Sequence, residues 1–207
     1  MSFVIFDTEY TSWKGCQEHG WFPPQKKEIV QIAAIKVSEN FEVLETFKQL
    51  CRPSFNPVLS DYFTELTGIT NEQVAQYGIL FENAYQKFAN FINKDICFSH
   101  SWNADYYHKS DGAIIEENLN YYKLNTCSNI IFRNIAAVFK ALYEKNNISI
   151  PTQSSGEIAL LLNLGHNLKS LNMQPHNALY DAFSILEGLK HFRNNIASLS
   201  TDGFVLK

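Results

Sequence analysis

The chain has 207 residues, 45% of them hydrophobic and 18% charged, which is enough for one compact domain with a sizeable core. A formal net charge of −4 argues against gripping a polyanion through a broad basic surface, so any contact with nucleic acid must be local. No apolar run approaches the 18 residues of a membrane helix, MSFVIFD carries no targeting segment, and four cysteines without a pairing motif fit reduced thiols in a cytosolic-type compartment.

In chain order, strand signals at about 3–8, 28–37 and 42–51 succeed one another with short connections and predict an antiparallel meander. Residues 11–27 interrupt it. Trp13, Gly15, Gly20, Trp21 and Pro23-Pro24 predict a flexible loop there, a lid or substrate rim beside the end of the first strand. A short helix is expected from Ser60 to Leu66, a turn at Thr67 to Thr70, and a second helix start at Asn71 to Gln76 with Thr70 as N-cap. Asn83 to Asn93 is amphipathic. Ile96-Cys-Phe98 reads as a central parallel strand leading to a loop that holds Asp105, and residues near 130–135 suggest a fifth strand. Helices at about 136–145, 155–163 and 178–193 complete a layered pattern that alone says α/β or α+β. Without repeat or linker, residues 1–207 read as a single domain with its function in one pocket at the strand ends.

Acids carry the chemistry. The run Phe3-Val-Ile-Phe6 delivers Asp7 and Glu9 at the end of a buried strand, where side chains two apart share a face and Thr8 points the other way. His176 and Asp181 lie five apart, followed by Ala182, Phe183, Ile185, Leu186 and Leu189 at helical spacing, so this pair sits on the start and first turns of a helix. Gathering Asp7, Glu9, Asp105 and Asp181 into one pocket sets like charges against each other by roughly 3 kcal/mol per pair at about 5 Å. Such a cluster needs cations. All-oxygen ligands suit Mg²⁺ or Mn²⁺, and no Cys or His cluster has zinc spacing; Cys16 and His19 are read as core or loop rather than ligands.

Each piece alone has a bland reading: a solvated strand end for Asp7 and Glu9, a turn or helix cap for Asp105, a core-helix cap for His176 or Asn177. In conjunction, FDTEYT, WNAD and HNALYDA resemble the three motifs of the DEDDh 3′→5′ exonucleases of the RNase T superfamily. The similarity also covers Glu28-Ile-Val-Gln-Ile-Ala, Arg52-Pro-Ser-Phe-Asn-Pro-Val-Leu-Ser and Glu65-Leu-Thr-Gly-Ile-Thr, and extends over roughly residues 3–190. The last two stretches are closest to the branch that trims structured RNA ends and includes KapD-like proteins.

The resemblance implies an RNase H-like fold: a five-stranded mixed sheet flanked by helices, the first three strands antiparallel and the others parallel to the first. It implies two divalent cations, Mg²⁺ or Mn²⁺, held by Asp7, Glu9, Asp105 and Asp181, with His176 as general base. The expected reaction releases nucleoside 5′-monophosphates from a free 3′ end, with RNA favoured over DNA. A DNA exonuclease and a noncatalytic binding protein are the alternatives. Thr8, Tyr10, Leu66 and Thr67 are the expected substrate contacts, with Trp102 a stacking surface; Tyr10 and Trp102 read equally well as core aromatics. Two features depart from the family pattern. Tyr10 stands where relatives often carry a smaller residue, and Trp102 precedes Asp105 by three positions instead of one. Basic groups at Lys26-Lys27, Lys169 and Lys190-His191-Arg193 offer local charge, each with a second reading as a solubilising surface.

Overall fold

The structure is a computed structural model that describes residues 2–102, 110–125, 130–149 and 154–196. Its centre is a five-stranded sheet in the order β3-β2-β1-β4-β5, with β1 Ser2–Tyr10, β2 Ile29–Ser38, β3 Val43–Leu50, β4 Cys97–Ser99 and β5 Phe132–Asn134. β1 pairs antiparallel with β2 and β2 with β3, while β4 runs parallel to both β1 and β5. This is the mixed RNase H-like sheet expected from the sequence. The C-terminal ends of β1 and β4 and the N-terminal end of β2 therefore meet at one edge.

Nine α-helices are seen among the described residues: α1 Cys16–His19, α2 Asp61–Thr67, α3 Asn71–Tyr77, α4 Phe81–Ile92, α5 Asp111–Tyr121, α6 Ala136–Lys145, α7 Ile158–Leu161, α8 Ala178–His191 and α9 Arg193–Ile196. The Ser60 hydroxyl caps α2 by accepting from the Phe63 amide, and Thr70 with Gln73 forms the reciprocal capping box of α3. Gly68 closes α2 with φ +72°, a conformation cheap only for glycine. A 3₁₀ turn at Ser155–Glu157 runs into α7, and a second 3₁₀ segment spans Gly165–Leu171.

Two-residue periodicity divides the core. Phe3, Ile5, Ile35 and Val37 pack on one face against Phe139 and Leu142 of α6 and Ile185, Leu186 and Leu189 of α8. Val4, Phe6, Ile32 and Ala34 pack on the other against Phe88 and Ile92 of α4 and Ile115 and Leu119 of α5. Burying each such side chain contributes about 1.5–3 kcal/mol, so both faces hold the sheet firmly. β3 is one edge of the sheet, and its exposed positions mix apolar Val43 and Leu44 with polar Glu45, Thr46 and Lys48.

The sequence reading left α5 unassigned. Its apolar positions, Ile114, Ile115 and Leu119, are few, and its second residue is Gly112. The glycine is needed for packing: a Cβ there would stand 2.4 Å from the Phe132 ring of β5. Close approach of α5 to the sheet follows from that missing methyl group.

Candidate active site

The alternation that builds the core also sorts the acids. Asp7 and Glu9 continue the Phe3, Ile5 series and so face α8, whereas Thr8 continues the Val4, Phe6 series and faces α5. α8 starts beside β2, where Gln31 is paired with Glu9 in the sheet register. The Gln31 side-chain oxygen accepts from the Ala178 amide at 2.9 Å, and Asn177 caps the helix by accepting from Leu179. One turn on, Asp181 projects to Asp7 and Glu9, and ligand oxygens of the three lie within 4.8 Å of one another.

A fourth carboxylate arrives from the opposite face. Asp111, in the first turn of α5, accepts from the Thr8 amide at 3.2 Å and the Thr8 hydroxyl at 2.7 Å, and the Asp111 amide donates to the Ser99 hydroxyl at 3.2 Å. The sequence reading assigned this place to Asp105, which lies outside the described residues; the acid standing against Asp7 is Asp111. Its signal was available, since Ile114, Ile115 and Leu119 follow it at spacings of three, four and eight, a helical face beginning at that acid.

Ser155 completes the cluster. Its hydroxyl lies 3.0 Å from Asp7 Oδ1 and 3.1 Å from Asp181 Oδ2, and with one proton it can donate to only one of them at a time. The turn that holds it is a capping box in which Ser154 and Glu157 satisfy each other's backbone, a Ser-x-x-Glu signature visible in the sequence. Gly156 allows close approach, because a Cβ there would meet Asp181 Oδ1 at 2.4 Å.

Burial and mutual repulsion raise these acids. Asp7 is held well above the ordinary carboxylate range first by burial and then by Asp111, Asp181 and Glu9, with the Ser155 hydroxyl opposing. Glu9 is raised by burial and then by Asp181 and Asp111. Burial also raises Asp111, against hydrogen bonds from Thr8 and Ser110, and pushes Asp181 up to about 7 against those from Ser155 and the His176 amide. A buried all-oxygen set that resists ionisation without a counter-charge fits a hard divalent cation such as Mg²⁺ or Mn²⁺.

His176 stands just before α8 with φ +64°, its amide donating to Asp181 Oδ1 at 3.2 Å. Partial burial lowers its ring pKa, with Glu157 opposing, which favours neutral imidazole at pH 7. Asp7, Glu9, Asp111, Asp181 and His176 line one open cleft of about 820 Å³.

Thr8, Tyr10, Leu66 and Trp102 line the same cleft. Thr67 does not. It is buried at the end of α2, where its hydroxyl donates to the Phe63 carbonyl and accepts from the Ile69 amide. Trp102 packs against Tyr143 and His100 at centroid distances of 6.1 and 6.3 Å, so it is both a cleft residue and a partner of the core. The segment between β1 and β2 differs from the flexible loop expected. It carries α1, and is closed at its base by Thr11 and Glu28, paired through both backbones and the Thr11 hydroxyl, and by the Trp21 indole donating to the Thr11 carbonyl at 2.9 Å.

Among the described residues no helix is long and apolar enough to cross a membrane. Comparison with known proteins agrees with this geometry. The chain is 32% identical over 92 residues to ERI1 exoribonuclease 2 of Xenopus laevis, an alignment covering 44% of this chain and 12% of that protein. In fold it is similar to the nuclease domain of 3'hExo, a DEDDh family member bound to rAMP, with a TM-score of 0.66 at 20% identity over 94% of this chain and 92% of that one. It is also similar to E. coli exonuclease I in complex with single-stranded DNA, with a TM-score of 0.70 at 14% identity over 96% of this chain and 42% of that one. The sequence pattern of the RNase T exonuclease family matches residues 4–189, and the chain belongs to that family.

Proposed function

We propose that the protein is a metal-dependent 3′→5′ exonuclease that removes nucleoside 5′-monophosphates from single-stranded RNA ends. The observation that carries this reading is the convergence of Asp7, Glu9, Asp111 and Asp181 from β1, α5 and α8 on one cleft that also holds His176. Asp7, Glu9, Asp111 and Asp181 would hold the cations, which supply the charge neutralisation and activation of water that phosphodiester hydrolysis requires.

The protein's own groups do the rest. His176, kept neutral by partial burial, takes a proton from the attacking water as its oxygen bonds to the terminal phosphorus. The bond from phosphorus to the 3′ oxygen breaks, and that oxygen takes up a proton as the shortened chain leaves. Ser155 holds Asp7 and Asp181 in register through its shared hydroxyl. Tyr10, Leu66 and Trp102, which line the cleft, would enclose the terminal base and sugar.

RNA is favoured by the likeness to a protein named an exoribonuclease. The likeness to exonuclease I with single-stranded DNA supports DNA as the second reading. Buried Cys16, Cys51 and Cys97, each without a disulfide, support a reducing compartment such as the cytoplasm.

The test is digestion of matched 5′-labelled RNA and DNA oligonucleotides in Mg²⁺ or Mn²⁺. The expected result is a ladder shortening from the 3′ end, faster on RNA, abolished by EDTA and by Asp7→Asn and His176→Ala. Preference for DNA would replace the sugar assignment, and intact 3′ ends with metal supplied would overturn the nuclease reading.

A further inference from the structure

The cleft must accept a phosphate chain, yet its lining is strongly acidic. Lys27 is the one lysine or arginine that lines it among the described residues. The sequence offered Lys26 and Lys27 as an undivided pair, and the fold separates them. Lys26 Nζ lies 3.4 Å from the centroid of the Phe55 ring and 4.9 Å from that of Tyr121, outside the cleft lining. Its amide is bonded to Asn56, so Lys26 fastens the β1–β2 segment to the chain after β3.

Lys27 turns the other way. Its ammonium sits 4.4 Å from the Trp21 ring centroid, and Trp21 is itself fixed by its bond to the Thr11 carbonyl and by Tyr10 at 5.9 Å. No ion pair is formed by Lys27 among the described residues. An aromatic face orients an ammonium without neutralising it, so the charge stays available to an anion. Of the basic candidates near the end of α8, Lys190 in its last turn is paired with Glu187, and Arg193 just beyond it donates to Asn40, both far along the helix from Asp181.

Resting on the nuclease reading above, we propose that Lys27, seated on Trp21, grips a phosphate of the strand leading into the acidic centre, and that Lys26 takes no part. Sheet order puts this contact on the β2 side of β1, across from the β4 side where Trp102 lies. The strand would be held between a cation on one flank and an aromatic surface on the other.

The experiment compares the wild type, Lys27→Met, Lys27→Gln, Lys27→Arg and Lys26→Met on a labelled single-stranded 12-mer in Mg²⁺ at several KCl concentrations. Lys27→Met and Lys27→Gln are expected to raise KM about tenfold, the worth of one charge-assisted contact, with kcat within about twofold. They should also flatten log KM against log salt by about 0.7, the increment for one phosphate on a single strand. Lys27→Arg should restore most of both, and Lys26→Met should keep the wild-type slope. Unchanged KM and slope in folded Lys27→Met and Lys27→Gln, equal flattening by Lys26→Met, or no rescue by arginine would each overturn the proposal.

Anisotropy of the same 12-mer in Ca²⁺ separates the two failures. If the wild type degrades nothing but binds with a Lys27-dependent salt slope, the grip stands and the nuclease reading falls. If Lys27→Met binds like the wild type, the grip falls whatever the activity.

Discussion

The acidic centre and the β1–β2 rim lie side by side yet are built on opposite physical terms. In the centre, like charges are buried on strand and helix positions fixed by two packed faces of a sheet, an arrangement that opposes its own ionisation. In the rim, Lys26, Lys27 and Trp21 are half-exposed on an excursion held by a few backbone bonds and ring contacts. The centre is preorganised for one chemistry. The rim can vary without disturbing it, so it is the place to test for an effect on substrate choice.

This contrast breaks most sharply at Asp7. Asp7→Asn removes a charge from a repelling cluster, so it should lower kcat by on the order of 10³-fold while raising the melting temperature of the metal-free protein at pH 8 by a few degrees. Steady-state kinetics and differential scanning calorimetry read the two effects. A fall in both would mean that Asp7 serves the fold and not the chemistry.

Ser155→Ala tests the next layer. Losing the hydroxyl that links Asp7 and Asp181 should raise the Mg²⁺ concentration needed for half-maximal activity by about 10- to 100-fold with little change at saturating metal. A metal titration checks this.

Acidity supplies a third effect. Asp7, Glu9, Asp111 and Asp181 bind protons more tightly folded than unfolded, so their contribution to metal-free stability is full below the ordinary carboxylate range, about pH 4, and is lost as pH rises through about 7 for Asp181. Cations replace those protons, so stabilisation by Mg²⁺ should be larger at pH 8 than at pH 5.5. With metal at about 100 times its Kd the gain is about 2.7 kcal/mol, or roughly 5–10 °C, measured by thermal melts at the two pH values. The rim should respond least. Trp21→Ala is expected to raise KM several-fold with kcat nearly constant, whereas an equal loss in kcat would tie the rim to the chemistry.

How legible each region was in the sequence follows from the same contrast. β1 and α8 announce themselves because the apolar run Phe3-Val-Ile-Phe6 leads straight into Asp7 and Glu9, and apolar residues at helical spacing follow Asp181. The expected fourth acid, Asp105, lies outside the described residues, and the described acid beside Asp7 from the opposite face is Asp111. WNAD offered Asp105 at a plausible spacing, whereas α5 begins after Ser110, at φ +50° with no side-chain cap, and passes through Gly112. Thr67 looked like a substrate contact by likeness alone, and its hydroxyl is consumed at the end of α2. Ser155 was missed because its role depends on two carboxylates 26 and 148 residues away, a proximity that only the fold creates. The rim was legible in composition and not in shape, since one-residue spacing cannot tell Lys26 from Lys27.

Asp111 is the residue on which the proposed acidic centre turns. Digestion of a 5′-labelled single-stranded RNA in Mg²⁺ by the wild type, Asp111→Asn and Asp105→Asn measures it in one gel. The predicted result is stepwise 3′ shortening by the wild type and Asp105→Asn, and intact substrate with Asp111→Asn. Shortening by Asp111→Asn at the wild-type rate, with Asp105→Asn inactive, would contradict it.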